Sequence, residues 1–302
     1  MIDISNKFNT LRYAKAEGTL SAPEEIIEKV KNKTVPKGEV LEVARAAGIN
    51  AAKRTSDFIT FCHPMPVDWI GVSYKIEKEK IRVTAEVKAV WKTGVEMEAI
   101  TAVSSALLNM YDMLKPLTDD ISFTDIHLVK KKGGKSDFKE NFENPISAAV
   151  LVISDSTFAG TREDKSGKII NEFLAKQNIE VKVYEILPDD LEKIQNRLKE
   201  LSDKEKIELV ITTGGTGFGP KDLTPEATLP ILEKQIPGVT ETIRRHGKER
   251  TPYAMLSRET AGIRGKSVII NLPGSSKGAK ESMESLFPGL LHIYPMMNGG
   301  GH

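Results

Sequence analysis

The sequence has a single cysteine, Cys62, among 302 residues. That excludes an internal disulfide framework and fits a chain folded in a reducing compartment. It also lacks an excess of either charge: 43 lysines and arginines against 42 aspartates and glutamates leave +1. A general nucleic-acid or membrane surface needs a basic footprint, and none is visible. No apolar run approaches the roughly 18 residues of a membrane span, and the first residues lack the pattern of a signal peptide. The expectation is a soluble, cytoplasmic protein with small-molecule partners, no nucleic acid and no membrane.

What is present is concentrated in one stretch, Val210 to Ala227 (VITTGGTGFGPKDLTPEA). A short apolar run, Ile207 to Thr213, reads as a buried strand, and it enters a glycine-rich loop. Thr224-Pro225-Glu226 then reads as a threonine cap with proline at the first helical position. Glycines let backbone amides approach a ligand closely, and a helix start adds partial positive charge, so this is one way to hold a phosphate. Asp222, beside the loop, is placed to hold Mg²⁺ on such phosphates. The loop is neither a Walker A motif nor a dinucleotide G-x-G-x-x-G. Glycine content alone does not separate a phosphate cradle from a tight turn.

The length predicts about two domains. In the N-terminal half, residues 24–33 and 39–55 carry helical spacing. Trp69 to Ile76 and Ile81 to Val90 alternate as a hairpin, Val95 to Leu114 reads as a mostly buried helix stopped by Pro116, and Ile121 to Val129 as a strand. This predicts an α+β layer of ferredoxin-like type, an antiparallel sheet with helices. In the C-terminal half, apolar strands at 148–154, 181–187, 207–213 and 267–272 alternate with helices at 168–177 and 191–201, which predicts a doubly wound, mostly parallel α/β sheet. The polar stretch 130–146 reads as the join, giving domains 1–144 and 145–302. Residues 298–302 read as a disordered tail with an incidental histidine.

Individual residues leave alternatives open. Lys37 sits in a basic helix start, and Lys53 in a basic turn. Phe61-Cys62-His63-Pro64 is weak as a zinc motif, and His63 is either aimed at a ligand or structurally satisfied. Thr93-x-x-Glu96 matches a capping box, with Met97 and Glu98 just inside the helix. Asp112 faces the negative end of its helix dipole, three residues from Lys115: either chemistry or an ordinary ion pair. In the second half, Ser154-Asp155-Ser156, Pro188-Asp189-Asp190, the glycine loop and Pro273-Gly274-Ser275-Ser276-Lys277 all leave strands. In a doubly wound sheet such exits share one crevice. Taken by itself, Pro-Asp-Asp reads as a helix cap before it reads as a site.

Two resemblances add to this reading. MIDIS, KGEV, AGINAAKRT, FCHP, KTGVEMEA, YDMLK and KKGGKS, across about residues 1–140, resemble the cyclic pyranopterin monophosphate synthase family. The resemblance implies Asp112 as the active-site acid or base, with Lys37 and Lys115 as catalytic partners. It implies substrate binding by Arg12, Phe61, Cys62, His63, Met97, Glu98 and Lys131. Glu39 where KGD is usual, and Phe61 where Leu is more frequent, are mild departures. SDSTFAGTREDKSG, ILPDD, TTGGTGFGPKDLTPEAT, AMLSRETAGIRG and NLPGSSKGAKE resemble the molybdopterin adenylyltransferase family, which includes the first domain of gephyrin-like proteins. That resemblance implies MgATP chemistry on Asp189 and Asp222. It implies nucleotide and pterin binding by Ser154, Asp155, Ser156, Gly214, Gly215, Thr216, Gly217, Ser257, Ser275 and Lys277. Together they imply a fused bifunctional enzyme of molybdenum cofactor biosynthesis, with Mg²⁺ as cofactor and ATP as co-substrate. Both families are typically trimer-based, so a homo-oligomer, trimer or hexamer, is implied. A non-catalytic, molybdopterin-binding C-terminal module is the rival reading.

Overall fold

Residues 1–300 of a computed structural model of the chain are described. They divide into two compact units, Met1–Asp137 and a second beginning at Phe138.

The first unit runs β1 (Thr10–Ser21), α1 (Glu24–Lys31), α2 (Val40–Lys53), α3 (Thr55–Phe58), β2 (Trp69–Ile76), β3 (Lys80–Trp91), α4 (Glu96–Leu114) and β4 (Ser122–Lys132). The sheet order is β2-β3-β1-β4 with every neighbouring pair antiparallel. With one helical layer after β1 and α4 after β3, this is the ferredoxin-like arrangement. Alternate strand residues such as Leu20, Ile81, Val83 and Val87 form one core with Ile26 and Ile27 of α1, Ala44 of α2, and Leu107 and Met110 of α4. Strand β1, between β3 and β4, is an element the sequence reading did not assign. Its buried side chains are Arg12, Ala14, Ala16 and Leu20. Alternation carried by alanines and one arginine gives little apolar signal.

Helix α4 corrects another expectation. The residue before it is Val95, with no side-chain cap, so Thr93-x-x-Glu96 forms no capping box. The Glu96 carboxylate instead meets Lys131 at 3.3 Å, a charge-assisted contact that wins over a neutral amide.

The second unit runs β5 (Ile146–Ile153), α5 (Asp155–Phe158), α6 (Ser166–Lys176), β6 (Ile179–Leu187), α7 (Leu191–Asp203), β7 (Leu209–Thr213), α8 (Thr224–Thr228), β8 (Lys234–Gln235), α9 (Pro237–Lys248), β9 (Ala261–Arg264), β10 (Ser267–Leu272), α10 (Ser276–Leu286) and α11 (Ile293–Met297). Its sheet order is β6-β5-β7-β10-β9-β8. The first four strands are parallel, and β9 and β8 add an antiparallel edge. Two separate cores contain β5 and β7 residues: Ala148, Val150, Leu209 and Ile211 in one, Ala149, Leu151 and Val210 in the other. Both faces are therefore covered, as near-continuous apolar strands require.

The stretch 130–146 is more ordered than a linker. Strand β4 reaches Lys132, Lys135–Phe138 forms a 3-10 turn, and the Gly133 amide donates to Asp137 at 2.7 Å. Beyond it, Glu140 meets His292 at 2.6 Å and the Phe142 ring stands edge-on to Tyr294, so this segment is strapped to the second unit. At the other end, Asn298 to Gly300 are not a loose tail. Gly299 is left-handed (φ +81°), and the Gly300 amide donates to Pro295 at 2.9 Å, closing α11. Gly301 and His302 lie outside the described residues.

Candidate functional sites

In the first unit the residues singled out fall into two groups, one at each end of α4. At its C-terminal end, Asp112 is bracketed by two lysines: Lys115 at 2.8 Å and Lys37 at 3.0 Å, with the Lys37 ammonium also donating to the Asp112 carbonyl at 2.7 Å. Hydrogen bonds from Lys115, then Lys37, hold the exposed Asp112 carboxyl below its usual range. The same bond holds the Lys115 ammonium above its own. The helix dipole opposes an acid here, and the lysines offset that penalty. So the i,i+3 ion pair exists, and a third group 75 residues away joins it.

At the N-terminal end, Phe61, Cys62, His63, Met97 and Glu98 line a cleft of about 780 Å³ together with the first residues of the chain. Phe61 is exposed, and His63 Nε2 donates to the Ile2 carbonyl at 2.9 Å, which fixes that ring's tautomer. Glu98 is 4 % exposed. Burial pushes its carboxyl above the usual range, and the neighbouring Glu96 charge adds to this. Burial also raises the Cys62 thiol, so nothing marks it as an activated nucleophile. Lys131 joins through Glu96. Arg12 is buried, donating to the Trp91 and Lys92 carbonyls at 3.1 and 3.3 Å. Burial lowers its guanidinium, and the Glu96 and Asp137 charges oppose that. From Met97 to Asp112 is 15 residues of helix, about 22 Å at 1.5 Å per residue. One chain does not bring the two groups together.

The second unit behaves differently. The exits of β5, β6, β7 and β10 converge on one cleft of about 340 Å³ lined by Ser154, Asp189, Gly214, Gly215, Asp222 and Ser275. Gly214 is left-handed (φ +104°), and a Cβ there would stand 2.2 Å from the Ile153 carbonyl oxygen; one on Gly274 would stand 3.0 Å from Gly214 Cα. Only glycine lets the two loops meet over the strand end. Thr224 does not cap α8: Leu223 precedes the helix, and the Thr224 hydroxyl donates to the Gly214 carbonyl at 2.9 Å. Thr213 does the same for the second loop, donating to Pro273 at 2.8 Å. In Pro-Asp-Asp both readings hold, on different residues. Asp190 caps α7 by accepting from the Lys193 amide at 2.9 Å, while Asp189 faces the cleft.

The carboxylates are coupled. The Asp155 amide donates to Asp189 at 2.8 Å and the Asp189 amide donates to Asp155 at 3.0 Å. Burial, and then the charges of Asp155 and Asp222, push the Asp189 carboxyl up; the Lys221 ammonium, hydrogen-bonded to Asp155, holds Asp155 down. Asp222 accepts the Gly219 amide at 2.7 Å. Among the described residues no three His, Cys, Asp or Glu side chains form a metal-holding group. Mg²⁺ does not need one: it binds through one or two carboxylates plus substrate phosphates and water. Two like charges in one cleft, one of them raised by the other, fit that ion.

The other expected residues stand further off. Asp155 and Ser156 flank the cleft without lining it, and Ser154 caps α5. Thr216 and Gly217 point their carbonyls at Arg258, Ser257 precedes that arginine, and Lys277 is exposed, 3.9 Å from Glu281. Arg162, Asp164, Lys165 and Ser166 also line the cleft, and nothing in their local sequence pattern marks them individually as site residues. Lys221 and Arg258 also escaped notice; only their partners, across the fold, give them meaning.

Residues 1–134 match the MoaC family, and residues 149–292 a family described as "Probable molybdopterin binding domain". A "Molybdenum cofactor biosynthesis bifunctional protein" of Chlorobaculum tepidum is 41% identical over 302 residues, 100% of this chain and 96% of the relative. The chain belongs to the bifunctional molybdenum cofactor biosynthesis proteins. A "Cyclic pyranopterin monophosphate synthase" of Clostridium perfringens is 51% identical over 138 residues, 45% of this chain and 87% of the relative. The solved structure of the molybdopterin biosynthesis enzyme MoaB from Thermus thermophilus is 43% identical over 51% of this chain and 97% of its own, with a TM-score of 0.49. This bifunctional protein thus carries a MoaC domain followed by a domain of the probable molybdopterin binding family, and no helix of its described residues is long and apolar enough to cross a membrane.

Proposed function

We propose that the second domain transfers the adenylyl group of ATP to the phosphate of molybdopterin. The observation that carries this is the convergence of four strand exits on one cleft that holds two glycine-bearing loops and the Asp189–Asp222 pair. The pterin phosphate oxygen attacks the α-phosphorus, the bond between α-phosphorus and bridging oxygen breaks, and pyrophosphate leaves. Asp189 and Asp222 would hold Mg²⁺, which would supply neutralisation of the charge on the phosphates. The chain's own part is positioning and charge. The backbone of Gly215 and Gly274–Ser275 offers amides to phosphate oxygens, while the Gly214 amide is spent on the Leu272 carbonyl at 3.2 Å, and Lys221 restrains Asp155 so that Asp189 stays fixed.

The first domain converts a cyclised GTP derivative to cyclic pyranopterin monophosphate with release of pyrophosphate. Asp112, Lys37 and Lys115 supply proton transfer, and the cleft of Phe61, His63 and Glu98 holds substrate with Arg12 and Lys131 as cations. Because about 22 Å of α4 separates the groups, the working site draws one from each of two copies, within a homo-oligomer (trimer or hexamer). The test is to supply the full chain with the cyclised GTP derivative in one assay, and with molybdopterin and MgATP in another. Pyrophosphate and the expected pterin product in both support the reading. Tight molybdopterin binding with no MgATP turnover shows the second domain to be a binding module.

A further inference from the structure

Arg258 lies outside the cleft lining, in the segment between the 3-10 turn Pro252–Leu256 and β9, yet it grips the glycine loop at several points. Its Nε donates to the Gly217 carbonyl at 2.7 Å and its Nη2 to the Asp222 carbonyl at 2.6 Å. Its own amide donates to the Thr216 carbonyl at 3.2 Å. Its Nη1 pairs with Glu226 at the start of α8, and its guanidinium lies 5.5 Å from the centre of the Phe218 ring. One planar fork therefore ties residues 217, 218, 222 and 226 into a single geometry, and the backbone amide of the same residue adds Thr216. The loop needs such a tie. Its segment from Thr216 to Asp222 contains two further glycines, and beyond the buried Thr216 it carries a Phe218 that is 73 % exposed, so side-chain packing does little to order residues 217 to 221. Backbone entropy favours a spread of conformations in a loop of this composition.

We propose that Arg258 is a positioning residue that locks the glycine loop and sets the carboxylate of Asp222 for the metal–triphosphate. Asp222 is held at both ends of its residue: its carbonyl by Arg258, its carboxylate by the Gly219 amide, whose loop the same arginine fixes at Gly217. Lysine cannot replace it, because one ammonium does not reach two carbonyls and a carboxylate in a planar fork. This inference rests on the adenylyl-transfer reading for the identity of the ligand, but not for the clamp itself.

The experiment uses the full chain as wild type, R258M and R258K, with MgATP binding measured by calorimetry and amide exchange measured on the ligand-free proteins. R258M weakens MgATP binding by about 10- to 100-fold, the range for removing an outer-shell support of a metal ligand. It speeds exchange across Thr216–Asp222 and leaves β5, β7 and β10 protected. R258K falls with R258M, where a role in net charge alone would place it beside wild type. Wild type that binds no MgATP overturns the adenylyl reading. Wild type that binds it beside an R258M that binds it equally, or whose loop exchanges at the wild-type rate, overturns the role of Arg258.

Discussion

The two domains place their chemical groups by opposite means. In the second, parallel strands end on the same side of the sheet, so four loops far apart in sequence meet over one cleft within a single chain. In the first, an antiparallel sheet sends successive strands in opposite directions, and α4 carries Glu98 and Asp112 at its two ends. A parallel sheet makes a focus; an antiparallel sheet with a long helix leaves two separated groups. The lesson is that polar residues at the exits of parallel strands are collectable into one site from sequence alone, while those of an antiparallel layer are not.

The largest expected effect lies at the focus. Asp222→Ala and Asp189→Ala should each lower adenylyl transfer by about a hundredfold or more, in the manner of removing one member of a preorganised charge-handling pair. The double variant should be barely worse than either, because groups acting as a unit are non-additive. Pyranopterin synthesis by the same preparation serves as the folding control. Normal turnover in Asp222→Ala, or wild-type turnover indifferent to chelation, removes the metal role and with it the idea that this cleft is a catalytic focus.

The two-copy site proposed for the first domain is broken differently. Asp112→Asn and His63→Ala should each abolish pyranopterin formation as homogeneous proteins. Chains of the two kinds, unfolded together and refolded as a mixture, should recover about a quarter of wild-type activity, since half of random pairs are mixed and one of their two sites is intact. No recovery on mixing means that the gap of about 22 Å is closed within one chain or that one group is not catalytic. Asp112→Asn should leave the melting temperature nearly unchanged, because the carboxylate is exposed and its lysines are solvated.

How much of this was legible can be judged residue by residue. The doubly wound sheet, its strand exits and the hairpin β2–β3 were readable because apolar β-branched runs and turn residues are local signals. Strand β1 was not, since its inward face is arginine and alanine. The capping box at Thr93 and the threonine cap at Thr224 were read wrongly for one reason. Both side chains had a better partner elsewhere in the fold, or their partner did: Lys131 for Glu96 and the Gly214 carbonyl for Thr224. Asp112 was visible as an anomaly on its helix, but its neutralisation by Lys37 came only with the packing of α2 against α4. Arg258 gave no signal at all, because the partners of its guanidinium hydrogen bonds lie 32 to 41 residues away.

The self-sufficiency of the second domain has a structural consequence of intermediate size. A fragment beginning at Phe138 keeps the Phe142–Tyr294 edge contact and the Glu140–His292 pair; one beginning at Pro145 loses both. The shorter fragment should be less stable by about 1 kcal/mol, the range for one aromatic pair, with the partly exposed Glu140–His292 contact adding little. Denaturant midpoints of the two fragments measure this. Equal midpoints mean that residues 138–144 are a passive connector, and the boundary between the two regions then belongs at Pro145.

The smallest effect distinguishes a binding carboxylate from a structural one in the first domain's cleft. Glu98 is buried, its carboxyl is raised by that burial, and Glu96 raises it further. An acid whose folded pKa lies above its unfolded value of 4.5 stabilises the fold while protonated. That contribution is complete below about pH 4.5 and is lost as the pH climbs through the raised folded value. Glutamine imitates the protonated form and does not titrate. Glu98→Gln should therefore match the wild type in melting temperature near pH 4 and exceed it increasingly toward neutral pH, levelling off once wild-type Glu98 is ionised. The substitution should still impair pyranopterin formation if the carboxylate holds substrate, so stability and activity move in opposite directions, as expected of a group kept for function against the preference of its surroundings. A melting difference that does not vary between pH 4 and pH 7.5 means that Glu98 is already compensated in the fold. The N-terminal cleft would then hold an ordinarily ionised carboxylate, and the contrast with Asp189 of the second domain, whose carboxyl burial pushes up, would sharpen.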